Sequence, residues 1–137
     1  MEDKLHILVI DDQKDLAEVL SLALSQRGFT VKVASSGSEA VNICNDERFD
    51  LIITDLNMPE MDGIQLIGNV RKLNPHQRII VVTAHPWQWA PWNKRLISRD
   101  LADEVVKHEE IKCLPKPFRM AQLMEMIDEF FQGNGTG

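Results

Sequence analysis

The feature that most constrains this chain is a set of short, nearly uninterrupted apolar runs, each ending in a polar residue. Leu5 to Ile10 stops at Asp11 and Asp12, Leu51 to Thr54 stops at Asp55, and Ile79 to Val82 stops at Thr83. A strand with one wet face alternates apolar and polar residues. A run this continuous reads instead as a strand covered on both faces, the situation of a parallel sheet. The alternating Thr30 to Ala34 and the short Ile111 to Leu114 complete a set of five.

Helical patterns fill the gaps. Leu16, Val19, Leu20, Ala23 and Leu24 recur at helical spacing, with Asp15 as the expected N-cap and Gly28 as the C′ stop. Ser36-Gly37-Ser38-Glu39 has the capping-box form ahead of Ala40, Val41, Ile43 and Cys44. After Asp55 comes a loop with Pro59. Asp62-Gly63 then opens a helix carrying Leu66, Ile67, Val70 and Leu73, closed by Asn74-Pro75. The stretch from His85 is irregular and holds Trp87, Trp89 and Trp92; Pro91 fits the first turn of a helix through Leu96 and Ile97, and a second piece starts near Asp100. A last amphipathic helix uses Met120, Leu123, Met124, Ile127, Phe130 and Phe131.

Strands alternating with helices imply right-handed crossovers and an α/β fold, a doubly wound, five-stranded parallel sheet. The expected organisation is one domain over residues 1–131 and a flexible tail or linker start over 132–137, since Gln132 to Gly137 has no core-forming residue.

Composition narrows the function classes. Charged residues make up 26% and the formal net charge is -6, so the chain has no basic footprint for direct nucleic-acid or anionic-membrane binding. Cys44 and Cys113 lack metal-ligand spacing and read as reduced, buried thiols. No apolar run reaches membrane-spanning length and the N-terminus lacks a signal-peptide core, so a soluble cytoplasmic protein is expected.

In open parallel sheets ligands bind outside the carboxyl ends of the strands, and the unusual polar residues all fall there. Asp11 and Asp12 end the first strand, Asp55 the third and Thr83 the fourth, while Lys116 follows the fifth. Singly, Asp11-Asp12 is a strand-end and helix-cap pair, Thr83 a strand hydroxyl and Lys116 a solvated lysine. At neighbouring strand ends they form three carboxylates, a hydroxyl and an ammonium. Carboxylates so close call for a cation, and hard oxygen donors without a His or thiolate cluster favour Mg2+ or Mn2+ over zinc. Asp55 then fits an aspartyl-phosphate nucleophile, with Lys116 and the Thr83 hydroxyl neutralising phosphoryl oxygens. Lys116-Pro117 is a candidate cis peptide. His85 lies near the pocket mouth, as a loop histidine or a modulator of water access.

With these residues assembled, the chain resembles the receiver domain of two-component response regulators, a flavodoxin-like fold typified by the stand-alone chemotaxis regulator. The resemblance rests on Ile10-Asp11-Asp12, on Asp55 through Gly63, on Val82-Thr83-Ala84 and on Lys116-Pro117-Phe118, and runs from about Leu5 to Phe131. It implies that Asp55 accepts phosphate from a histidine kinase or phosphotransfer protein. It implies Mg2+ held by Asp12, Asp55 and the Asn57 main-chain carbonyl, with Asp11 acting directly or through water, and Thr83 and Lys116 on the phosphoryl group. The family supports its own Mg2+-dependent phosphotransfer and autodephosphorylation without being an enzyme in the usual sense. A homodimer contact or downstream partner is expected on the fourth-strand to fifth-helix face and the Trp87–Val106 segment.

Two departures stand out. The family's usual switch aromatic, three residues before the lysine, is Cys113 here, and the stretch from Thr83 to Lys116 is longer than in most receivers, which gives an enlarged fourth-helix region. The alternative function is a receiver-like interaction module that signals without phosphate. A Mg2+-dependent phosphatase would want D-x-D after the first strand, where Asp11-Asp12-Gln13 stands, and a dinucleotide enzyme would want G-x-G-x-x-G after Ile10.

Overall fold

The computed structural model describes residues 5–55, 63–84 and 111–135. Within them the chain runs β1 (His6–Ile10), α1 (Lys14–Gln26), β2 (Thr30–Ala34), α2 (Gly37–Asp46), β3 (Leu51–Asp55), α3 (Gly63–Leu73), β4 (Arg78–Thr83), β5 (Ile111–Pro115) and α4 (Met120–Gly135). The enlarged fourth-helix region, with Trp87, Trp89, Trp92 and His85, lies outside the described residues, as does Asn57.

All five strands are parallel and ordered β2-β1-β3-β4-β5. The apolar runs become buried strands because both faces are covered. Leu8, Ile10, Ile52, Ile79 and Val81 point to the side holding Ala40 of α2 and Leu66, Ile67 and Val70 of α3. Ile7, Val9, Leu51, Ile53, Ile80 and Val82 point to the side holding Ala17 and Leu24 of α1 and Leu123, Ile127 and Phe130 of α4. Period-two side-chain alternation thus feeds two cores, and the one buried polar position in the β3 run, Thr54, has its hydroxyl bonded to the Asp55 carbonyl.

Helix ends follow local chemistry. Gly28 has φ +99, and two bonds close α1 behind it: Gly28 N–H donates to the Ser25 carbonyl at 3.0 Å and Phe29 N–H to the Leu24 carbonyl at 3.3 Å. This is a Schellman closure at the expected glycine. Ser36 caps α2, its hydroxyl accepting from Glu39 N–H at 3.1 Å, and the Glu39 carboxylate reaches back to Ser35 N–H at 2.7 Å. The return bond lands one residue before the N-cap, a small variation on the expected box.

Two expectations are corrected. The N-cap of α1 is Gln13, and Asp15 sits in the first helical turn. Asp11 takes over the local role, because its Oδ1 accepts Gln13 N–H at 2.9 Å and starts the turn two residues earlier. Asp15 still faces the positive end of the helix dipole. The C-terminal helix also runs to Gly135, past the Phe131 boundary, since glycine lowers helix propensity without forbidding helical dihedrals.

The strand starts are tied by a polar latch that sequence spacing does not reveal. Arg71, 1% exposed, donates through Nη2 to the Gln77 carbonyl at 2.6 Å. The Gln77 side chain donates from Nε2 to the carbonyls of Phe49 at 3.1 Å and Arg78 at 3.2 Å. One residue, Gln77, therefore joins the end of α3 through its main-chain carbonyl to the entrances of β3 and β4 through its side-chain amide.

Candidate functional site

Strand order places the switch point between β1 and β3, the crevice where open α/β sheets bind ligands. Register sets the residues there in a row. Ile10 pairs with Thr54, so Asp11 and Asp55 follow side by side; Asp55 pairs with Val82, and Thr83 pairs with Pro115, one residue before Lys116.

Asp55 ends β3 with its side chain 13% exposed. Thr54 before it is fully buried and donates its hydroxyl to the Asp55 carbonyl at 3.0 Å. Lys116 continues the β4–β5 ladder, its N–H donating to the Thr83 carbonyl at 2.7 Å. That main-chain bond fixes the base of the lysine, whose Nζ donates to Asp55 Oδ2 at 2.9 Å. The Lys116-Pro117 peptide is cis. Thr83 is completely buried at the end of β4.

Asp11 is 7% exposed, and its N–H donates to the Ala34 carbonyl at 3.1 Å. Burial pushes its carboxyl above the usual carboxylate value. The Gln13 N–H bond and the Lys116 ammonium pull the other way, while the charges of Asp55 and Asp12 add to the rise. Asp12 is exposed. Asp11, Asp12, Asp55 and Lys116 thus share one electrostatic neighbourhood.

The expected convergence of three carboxylates is narrower than the sequence implied. Among the described residues, no three acidic, histidine or cysteine side chains stand close enough to hold a metal ion by themselves. Asp12 turns to solvent, and the Lys116 ammonium rests on Asp55. The donor chemistry nonetheless fits Mg2+, which binds through one or two carboxylates plus waters and phosphate oxygens. A buried acid with a raised pKa is also the kind of group a cation relieves.

Other expectations divide. Cys44 and Cys113 are free thiols, half-buried, and burial pushes both above the ordinary thiol value. Cys113 sits in β5 opposite Val81. On α1 the apolar stripe is wider than the core needs: Ala17 and Leu24 are buried, but Leu16 is 47% exposed and Val19 66% exposed. Leu22, at 61%, lies outside the expected stripe. Seven apolar positions on one 13-residue helix were the signal that some face something other than this core.

An open parallel sheet whose acids and lysine gather at the switch point has the architecture of a receiver-type signalling domain. The chain belongs to the response regulator receiver domain family, which matches residues 7–128. Such domains act in two-component systems as signalling units. The transcriptional regulatory protein GlrR of Escherichia coli is 42% identical over 80 residues, covering 58% of this chain and 18% of that protein. The chain spans less than half the length of the curated relatives it matches, GlrR among them. Chemotaxis protein CheY4 of Vibrio cholerae superposes with a TM-score of 0.77 at 26% identity, covering 94% of this chain and 100% of that one. Response regulator TrrA of Thermotoga maritima, solved with Mg(2+)-BeF, superposes with a TM-score of 0.72 at 26% identity and the same coverage. Among the described residues, no helix is long and apolar enough to cross a membrane.

Proposed function

We propose that this chain is a phosphoacceptor receiver domain in which Asp55 takes phosphate from the phosphohistidine of a histidine kinase or phosphotransfer protein. The observation that carries the reading is the 2.9 Å contact between Lys116 Nζ and Asp55 Oδ2. A lysine held on a carboxylate by its own main chain is a preorganised counter-charge. It is in position before any phosphoryl group arrives and needs no reorganisation when negative charge develops on the equatorial oxygens. Thr83, at the adjacent strand end, is the hydroxyl assigned to a phosphoryl oxygen.

Asp11, Asp12 and Asp55, with the Asn57 main-chain carbonyl, are the residues that would hold Mg2+. When bound, the ion supplies charge neutralisation for the incoming phosphoryl group. Asp11 orients the pocket's entrance through its bond to Gln13 N–H. Phosphorylation adds roughly -1.5 to -2 charge units at Asp55 and draws Lys116 toward the new oxygens. That change is the signal passed to a downstream protein or second copy through the face running from β4 to the C-terminal helix α4 and through the Trp87–Val106 segment. Because Cys113 stands where receivers usually carry the switch aromatic, the coupling runs through other side chains. The receiver unit spans the described strands and helices from β1 through α4, which ends at Gly135. A cytoplasmic setting follows from the histidine-kinase partnership.

The test is incubation with Mg2+ and a small phosphodonor, read by intact mass. A phosphoryl adduct that Asp55→Asn abolishes is the expected result. No adduct, under conditions that label other receivers, leaves the phosphate-independent interaction module as the function.

A further inference from the structure

Thr54 is the polar residue in the otherwise apolar run that leads β3 to Asp55, and it is fully buried. Its register partners are Ile10 of β1 and Val81 of β4, both in the core on the α2–α3 side of the sheet. Side chains alternate along a strand, so Asp55, in step with Leu51 and Ile53, directs its carboxylate to the α1–α4 side, where Lys116 meets it. Thr54 therefore lies behind the phosphoacceptor, across the sheet from the reacting oxygens.

A valine has the same shape and would fill this place with no hydroxyl to satisfy. A buried hydroxyl is costly unless it is bonded, and this one donates to the Asp55 carbonyl at 3.0 Å. That carbonyl belongs to the last residue of β3, hence to the peptide unit that carries the chain out of the sheet. The bond closes a small ring that contains φ and ψ of Asp55, the two soft angles that set where the following residues lie relative to its carboxylate. Asn57 is two residues on.

We propose that Thr54 is a positioning residue for Mg2+ uptake. Its hydroxyl fixes the Asp55 backbone, and with it the spacing between the Asp55 carboxylate and the Asn57 main-chain carbonyl. The inference rests on the reading of Asp55 as phosphoacceptor, which assigns both of those groups to the ion. Mg2+ tolerates little departure from octahedral geometry, so two ligands on one short stretch of chain must be held in step. Thr54 does this from the opposite face without touching ion or phosphoryl group.

The experiment titrates Mg2+ into the full chain and into Thr54→Val and Thr54→Ser, following amide chemical shifts, with thermal melting of each protein alongside. Thr54→Val keeps the shape and loses the donor, and is expected to weaken Mg2+ binding about two- to tenfold, the worth of one such hydrogen bond. Thr54→Ser keeps the donor and is expected to bind Mg2+ like the wild type. It is also expected to melt below Thr54→Val, because it leaves a methyl-sized void in the core. Mg2+ affinity and stability thus rank the two variants in opposite orders, which a purely structural role does not produce. Wild-type affinity in Thr54→Val overturns the proposal, and so does a weakening that Thr54→Ser shares, which marks lost packing. A wild type that a small phosphodonor labels on Asp55 without binding Mg2+ overturns it as well and leaves the phosphoacceptor reading standing. A wild type that takes up neither Mg2+ nor a phosphoryl group fails that reading, and the positioning role with it.

Discussion

Lys116 and Asp55, 61 positions apart in sequence, meet at 2.9 Å through Nζ and Oδ2. The contact is built from the sheet outward: β3 ends on the acid, β4 on Thr83, and the lysine's main chain extends the β4–β5 ladder by one bond to the Thr83 carbonyl. The side chains are 25% and 13% exposed, so the pair stands between a solvated surface bridge and a buried one. Lys116→Met is therefore expected to cost about 1 kcal/mol in urea unfolding, near the upper end for exposed pairs. On the proposed phosphoacceptor function, the effect on phosphotransfer is expected to be far larger: losing a preorganised charge of this kind is expected to lower the labelling rate by roughly 10²-fold or more, measured by adduct formation under saturating Mg2+.

Asp11 gives a pH-dependent prediction with the opposite sign from an ordinary acid. Burial raises its folded pKa above the usual aspartate value of 3.8, so its charged form opposes folding. That cost is fully present above the folded pKa and disappears as pH falls through it toward 3.8. Asp11→Asn preserves an oxygen for the Gln13 N–H bond and removes the charge. The variant is expected to melt higher than wild type at neutral pH, with the gap closing in acid. Mg2+ is expected to raise the melting temperature of the wild type more than that of the variant, in calorimetry with and without chelator.

Much of the fold was legible because parallel strands covered on both faces leave no choice of residue. Leu8 and Ile10 feed one core and Ile7 and Val9 the other, so the run had to be apolar throughout. The strand-end placement of Asp11, Asp55 and Thr83 was legible for a related reason, as polar residues abutting such runs. The fate of Leu16 and Val19 was not, because helical spacing identifies a stripe without saying how wide the opposing surface is. Nor was Arg71, whose burial depends on a carbonyl six residues on that becomes a partner only when α3 turns back into β4. The N-cap of α1 was misplaced because Asp11, before the helix, starts the turn by accepting Gln13 N–H, so the helix begins ahead of Asp15.

The α2 cap supplies a stability test in the conventional direction. Two hydrogen bonds from Ser35, backbone N–H and hydroxyl, hold the Glu39 carboxyl below the usual glutamate value of 4.5. Its contribution is present above 4.5 and is lost as pH falls through the depressed folded value. Ser36→Ala removes the reciprocal cap and is expected to cost about 1 kcal/mol at neutral pH. In Glu39→Gln, acid unfolding is expected to lose part of its dependence on pH below 4.5, which titration of the unfolding midpoint measures.

Gln77 offers the cleanest separation of stability from chemistry, because it sits at the strand entrances, at the opposite end of the sheet from Asp55. It is 4% exposed, and its Nε2 supplies donors to the carbonyls of Phe49 and Arg78. Gln77→Leu keeps the bulk of the side chain and removes its bonds to the Phe49 and Arg78 carbonyls, together with the Oε1 that accepts from Asn74 Nδ2 at 3.4 Å. Buried groups deprived of a hydrogen bond cost about 1–3 kcal/mol, so unfolding stability in urea is expected to fall by that amount. The Arg71 Nη2 bond reaches the Gln77 main-chain carbonyl and survives the substitution, which keeps the end of α3 anchored to the loop before β4. Below the unfolding transition, Asp55 is expected to be labelled at the wild-type rate. A slowed rate in fully folded protein would mean that the strand entrances help set the geometry at the strand ends, which a rigid sheet does not require.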